Sequence, residues 1–219
     1  MKLFSVLMGA AVAFVLTVPQ IVCAADAAKP AFVIPHGTSD INKAIAGNYT
    51  LDPNHISVQA RVSHLGFSIS VFRFGTVEGK LSWDPANPAK DTLSTTVKTG
   101  SIETNVPNFA TELSGAQYLD AAKYPDATFV STAFHQTDAT HGTVDGTFTL
   151  RGVTKPVTFE VTLVGAGPGF AGSPEMGHVI GVHAETKINP QDYAMSSFFV
   201  EPIALVIDTE FDRKAANNK

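Results

Sequence analysis

Residues 143–164 carry two runs in which apolar side chains recur at every second position. Val144, Phe148 and Leu150 alternate with Thr143, Asp145, Thr147 and Thr149, and Val157, Phe159, Val161 and Leu163 alternate with Thr158, Glu160 and Thr162. A period of two sends neighbouring side chains to opposite faces, so each run reads as a strand with one apolar face. The link Arg151 to Pro156 contains Gly152 and Pro156 and reads as a longer hairpin loop. A sheet that is apolar on one side must enclose something with that side, either its own side chains or a ligand.

The same texture continues through most of the chain. Ile56, Val58, Ala60 and Val62 share one phase, Val71 to Trp83 is extended and rich in Phe and Val, and Leu93, Thr95 and Val97 form a third run. In Asp126 to His135, Val130 and Phe134 fall on one phase and Phe129 on the other; Val179 to Ile188 and Ile203 to Phe211 follow, the latter with Ile203, Leu205 and Ile207 on one phase. Seven to nine strands result. Pro107 to Asp120 breaks the pattern: Phe109, Leu113 and Ala116 sit at helical spacing, which predicts one short helix. Many strands with one helix fit a sandwich or a barrel, and the long stretch from Phe72 to Trp83 favours a strongly bent barrel wall.

The first 24 residues read as a secretory signal peptide: Lys2, an apolar run from Leu3 to Val18, and Val22-Cys23-Ala24 before a cut. The apolar run is short for a membrane span, so no stable membrane anchor is expected. Cleavage after Ala24 removes the only cysteine, which excludes disulfides, thiol catalysis and cysteine-ligated metals. The formal charge of −5 becomes −6 on loss of Lys2, and with no basic run nucleic acid is a poor partner. Residues 25–48 read as a leader that is loose or packs peripherally, with a helical turn at Ser39 to Ala46, and 49–219 as one barrel domain.

Few residues carry chemistry. The seven histidines form no strong metal motif, and His178 and His183 fall on opposite faces of one strand. No nucleophile elbow, P-loop or dinucleotide fingerprint is present, so no metal and no cofactor are expected. Asp120, Asp126, Asp145 and Asp192 sit in turn contexts, where a short acid satisfies local backbone donors. The aromatics say more: thirteen of the fifteen phenylalanines lie beyond Ala24, against four tyrosines and the single Trp83. Phe brings large apolar area without a polar handle. Filling the core is one use for them; lining a tunnel for a long aliphatic chain is another.

Several ordered motifs carry a family resemblance. Tyr49-Thr50-Leu51-Asp52 with His55, Val62-Ser63-His64-Leu65-Gly66-Phe67, Ser101-Ile102-Glu103-Thr104, Tyr124-Pro125-Asp126-Ala127-Thr128-Phe129 with Ser131-Thr132, and above all Gly146 to Val157 resemble the YceI family of exported bacterial lipocalin-like proteins. The resemblance covers roughly Tyr49 to Phe211. It implies an eight-stranded antiparallel lipocalin-like barrel with one short helix and an interior tunnel for a long-chain amphiphile, polyisoprenoids being the type example. It also implies quinones and fatty amides as ligands, and homodimers. Two segments depart from the family's pattern. Phe109-Ala110-Thr111-Glu112-Leu113 stands where the family usually shows Arg-Asp-x-His-Leu. Asn189-Pro190-Gln191-Asp192-Tyr193-Ala194 stands where it usually shows Asn-Arg-x-Asp-Phe/Tyr-Gly. Both remove a guanidinium, the natural clamp for a phosphate. Either the head-group site has changed, with Phe109 extending an apolar mouth, or the lost arginines were structural.

The expectation is therefore a periplasmic carrier for a lipophilic small molecule, with Phe72, Phe74, Phe109, Leu113, Phe198 and Phe199 as the ligand-binding residues and no catalytic ones. The alternatives are sequestration of hydrophobic toxins or antibiotics, a lipid-acting enzyme using His64 and Asp192, and a protein-interaction module with a solid core.

Overall fold

The computed structural model describes residues 34–169 and 176–214. The signal peptide and the first part of the leader lie outside the described residues. Ten strands are formed: β1 (Gly47–His64), β2 (Ser68–Phe74), β3 (Val77–Trp83), β4 (Thr92–Lys98), β5 (Ile102–Glu103), β6 (Asp126–Gln136), β7 (His141–Leu150), β8 (Val153–Pro168), β9 (Met176–Ile188) and β10 (Ile203–Lys214). They pair in the order β10-β9-β8-β7-β6-β4-β3-β1, and β10 returns to pair with β1, closing the sheet. Strands β2 and β3 are two halves of one bent wall: β3 pairs with Gly47–Thr50 of β1, and β2 with Val58–His64. The short β5 continues β4 in the same way and pairs with β2. The result is a closed eight-strand antiparallel barrel with one short helix. Closure pairs β1 with β10 and leaves, among the described residues, only the two-residue β5 without a second neighbour strand.

The period-two reading of β1, β7, β8 and β10 holds, and β9 follows the same rule. Val58, Ala60, Val144, Phe148, Phe159, Val161, Val182, Ala184, Leu205 and Ile207 all face the interior. Strand β6 differs from the sequence reading. Its pairing with β7 passes from Ser131↔Gly146 to Ala133↔Asp145, so Thr132 is the extra residue of a bulge. A bulge reverses the phase beyond it. Phe129 and Phe134, five positions apart, therefore both point inward, and Val130 is 50 % exposed. A second bulge in β8 between Leu163 and Gly165 likewise turns both Leu163 and Ala166 into the barrel core and leaves Val164 outside.

One further expectation, that of a longer hairpin loop, is corrected. The β7–β8 link is a two-residue turn, because Leu150 already pairs with Val153. Arg151 (φ 52°) and Gly152 (φ 75°) both adopt left-handed backbone, the pattern of a type I′ hairpin, whose twist matches the flanking strands. Pro156 is accommodated within β8 because β9 begins to pair only at Glu160, so the proline sits on a stretch with one neighbour strand. The one short helix expected between Pro107 and Asp120 forms as α1 (Phe109–Leu113), five residues long. Left-handed Asn108 precedes it, and Gly115 closes it by donating its N–H to the Glu112 carbonyl.

The described part of the leader packs on the barrel rather than hanging loose. A 3-10 turn at Ile41–Lys43 is capped by Asp40, and Thr38 bridges to Ala166. Ala44 is buried and accepts a hydrogen bond from Trp83 Nε1, and Tyr49 Oη donates to the Ile45 carbonyl at 2.6 Å.

Candidate functional site

The inward faces do not meet. They enclose a cavity of about 560 Å³ that runs between the two ends of the barrel. Alternation explains its chemistry: each strand contributes its apolar phase, so the wall is mostly aliphatic and aromatic, interrupted by Thr95, Thr99 and Thr209.

One end is plugged. Leu113 of α1, Leu119, Tyr118, Met195 and Phe199 border the cavity there, and Leu113, Leu119 and Tyr193 are buried. The plug is tied down by backbone acceptors. The Arg151 guanidinium donates to the carbonyls of Ala116 (3.0 Å) and Tyr118, and the Ser196 N–H donates to the Gln117 carbonyl at 3.1 Å. Gln191 Nε2 reaches the carbonyls of Ser196 and Phe199. Tyr193 packs edge-on against Phe148 with ring centroids 5.6 Å apart.

The other end is the mouth. Every exposed residue that borders the cavity lies here: Asn42 on the leader turn, Pro85 and Pro88 in the β3–β4 loop, and His135, Gln136, Asp138, Ala139 and His141 around the β6–β7 hairpin. Polar groups that can meet a ligand's head are thus gathered at one end of an apolar tube. Asp138 is held down to about 2 by hydrogen bonds from the Thr140 amide, the His141 ring and the His141 amide.

The sequence-derived site residues divide. Phe72, Phe74, Leu113 and Phe199 border the cavity. Phe109 does not; it stands against Phe72, with ring centroids 6.1 Å apart, as part of the packing outside the lining. Phe198 is 72 % exposed, because Ser197 and Phe198 form the centre of a turn closed by the Phe199 N–H donating to the Ser196 carbonyl rather than an extended run. His64 and Asp192, the pair considered for an enzyme, are both exposed, and neither borders the cavity. The reading missed Phe129, Phe134, Phe148, Phe159 and Phe211, all of which line the cavity. All five sit on inward positions of strands; attention to alternation rather than to loops would have found Phe148, Phe159 and Phe211, while Phe129 and Phe134 share a face only through the β6 bulge.

Outside the barrel, the first bulge of β1 gathers acids. Residues 52–55 sit opposite Glu210 of β10 alone. His55 Nδ1 lies 2.6 Å from Asp52 Oδ2 and 4.0 Å from Glu210 Oε2, and one ligand atom from each of the three lies within 4.8 Å of the others. The three could together hold a cation, but the Asp52 carboxylate is already engaged by the His55 ring and the Asn54 amide. Burial raises the Asp52 pKa, and those hydrogen bonds outweigh it to lower the group overall. The hydrogen bond to Asp52 in turn raises His55. Beside them Asp212 is pushed up to about 6, first by burial and then by the charges of Asp52 and Glu210.

Comparisons with known proteins agree with this architecture. The YceI-like domain family model matches residues 49–212. Protein YceI of Escherichia coli O157:H7 is 38 % identical over 152 residues, covering 68 % of this chain and 77 % of that protein. The crystal structure of Burkholderia cenocepacia BcnA superposes with a TM-score of 0.64 at 20 % identity, over 73 % of this chain and 98 % of that one. A polyisoprenoid binding domain from Saccharophagus degradans superposes with a TM-score of 0.53 at 14 % identity, over 75 % and 97 % of the two chains.

Proposed function

This chain belongs to the YceI family, and from that premise we propose that it is a periplasmic carrier that holds a long-chain lipophilic molecule, a polyisoprenoid, quinone or fatty amide, inside its barrel. The observation that carries the reading is the largely apolar cavity of about 560 Å³ whose exposed polar residues are confined to one end. A volume of this size lies within the range of small-molecule sites, roughly 300–1,000 Å³. The polyisoprenoid-binding description of the Saccharophagus degradans relative supports the ligand class. The charged start, apolar run and Val22-Cys23-Ala24 of the first 24 residues support export to the periplasm. Binding without chemistry is favoured over a lipid-acting enzyme, because neither His64 nor Asp192 borders the cavity. Homodimer formation is part of the same proposal and is measured by light scattering.

In such a tube affinity comes from burial, about 0.8 kcal/mol per methylene, or roughly fourfold in Kd for each carbon added. The test is isothermal titration with a series of straight-chain alcohols below their aggregation limits. Affinity should climb by about that factor per carbon until the cavity is filled and then level off. Phe199→Ala, which removes an aromatic wall at the plugged end, should shift the plateau to longer chains. Affinities indifferent to chain length, or no binding by any alcohol, would overturn the carrier reading.

A further inference from the structure

The mouth contains one polar group that the fold leaves unsatisfied. Asp91 borders the cavity where the β3–β4 loop enters β4 and is only 7 % exposed. Its Oδ1 accepts the Asp84 N–H at 2.6 Å, which fastens the loop. Its Oδ2 is buried and, among the described residues, finds no hydrogen-bond donor. Leaving a buried acceptor unmet costs about 1–3 kcal/mol, more if it is charged. Loop fastening alone uses one oxygen and gives no reason to bury the second at the rim of an apolar tube.

The surroundings narrow what would satisfy it. No lysine or arginine borders the cavity among the described residues. Of the two histidines at the rim, His141 is engaged by Asp138 and His135 by Asp145. Burial raises the Asp91 pKa, the Asp84 amide lowers it, and the Asp84 charge raises it again, with a net upward shift. An anionic head group would meet the carboxylates of Asp91 and Asp138 and, among the residues that border the cavity, no lysine or arginine.

Resting on the carrier reading above, we propose that Asp91 is the head-group acceptor of this cavity and selects a long-chain ligand whose head bears an N–H or O–H and no negative charge, an amine foremost. Carboxylate, phosphate and pyrophosphate heads are disfavoured at the same position. Chain burial supplies affinity, and Asp91 supplies orientation, with the head at the mouth and the tail toward Leu113 and Phe199.

The test compares tetradecylamine, tetradecanol and tetradecanoate, which share one tail, by titration into the full chain and into Asp91→Asn. Asparagine keeps an oxygen for the Asp84 amide and puts an N–H₂ in place of Oδ2. In the unsubstituted protein the amine should bind about tenfold or more tighter than the carboxylate, with the alcohol between. In Asp91→Asn that preference should shrink to about threefold or less. Tail-dependent binding with no head-group preference, or a preference that survives Asp91→Asn, overturns this inference and leaves the carrier reading standing. Failure of all three to bind removes the carrier reading and the inference with it. Should Asp91→Asn not fold, carboxyl NMR of the unsubstituted protein decides: the Asp91 pKa should fall on saturation with the amine, and an unchanged value counts against the proposal.

Discussion

Replacing Gly146 by alanine should destabilise the barrel by about 2–3 kcal/mol. Gly146 lies on the inward phase of β7, opposite Ser131 where β6 begins its bulge. A Cβ built there would stand 2.4 Å from Phe129 Cζ, 2.5 Å from Phe129 Cε2 and 2.5 Å from the Val130 carbonyl oxygen. The ring can rotate or shift; the carbonyl belongs to the β6 ladder and cannot move without opening it. Overpacking of this kind costs about 1–3 kcal/mol. Displacing Phe129 also weakens its edge-on contact with Phe159, whose centroid is 5.0 Å away. Such a contact is worth about 0.5–1.5 kcal/mol. Against these, alanine restricts the unfolded chain and returns about 0.4–1 kcal/mol. The balance corresponds to a fall in Tm of about 5–10 °C for a domain of this size. Equilibrium urea unfolding of G146A measures it, and the cycle with Phe129→Ala locates it. If the ring is the main obstacle, G146A should cost at least about 1 kcal/mol less in the Phe129→Ala background. A G146A protein as stable as the parent would refute the close approach of β6, β7 and Phe129.

Two further outcomes follow from individual groups. Asp212 titrates near 6 in the fold against 3.8 for the ordinary carboxyl. The native state therefore holds this proton more tightly than the unfolded chain, and its contribution to stability declines as pH rises from about 4 through about 6. Asp212→Asn should match the parent near pH 4 and exceed it near pH 8 by about 1–2 kcal/mol, the full shift being discounted for partial solvent screening. Equal stability at both pH values would dissociate Asp212 from the charges of Asp52 and Glu210. Ala194 ends the Pro190–Tyr193 turn at φ 51°, in left-handed backbone. Glycine relieves about 1–2 kcal/mol of crowding there and gives back part of it in chain entropy, so Ala194→Gly should stabilise by about 0.5–1 kcal/mol. Chemical denaturation reads the gain, and a loss of stability would contradict the assigned conformation.

What the chain states locally, it states clearly. Alternation assigns the inward faces of β1, β7, β8 and β10 correctly, because a side chain's face depends only on its position in an extended run. Phe72, Phe74 and Leu113 were legible as cavity neighbours on other grounds, their nearness to the helix, and Phe199 from its place in the consecutive Phe198-Phe199 pair. Where another strand intervenes, the sequence goes quiet. The phase of β6 depends on a bulge that exists only in pairing with β7, so Phe129 changes sides relative to Phe134. The β7–β8 turn shrinks to Arg151-Gly152 because the ladder runs to its last residue. Closure joins β1 to β10, more than a hundred residues apart, and only closure converts apolar faces into a cavity. Asp91 has no motif to distinguish it from the other acids of the chain. Its role comes from desolvation, a property of everything that surrounds it and of nothing in its own segment. Periodicity is local and is written in the residues themselves; register, closure and desolvation are relations between distant segments, and tertiary structure alone brings those segments together.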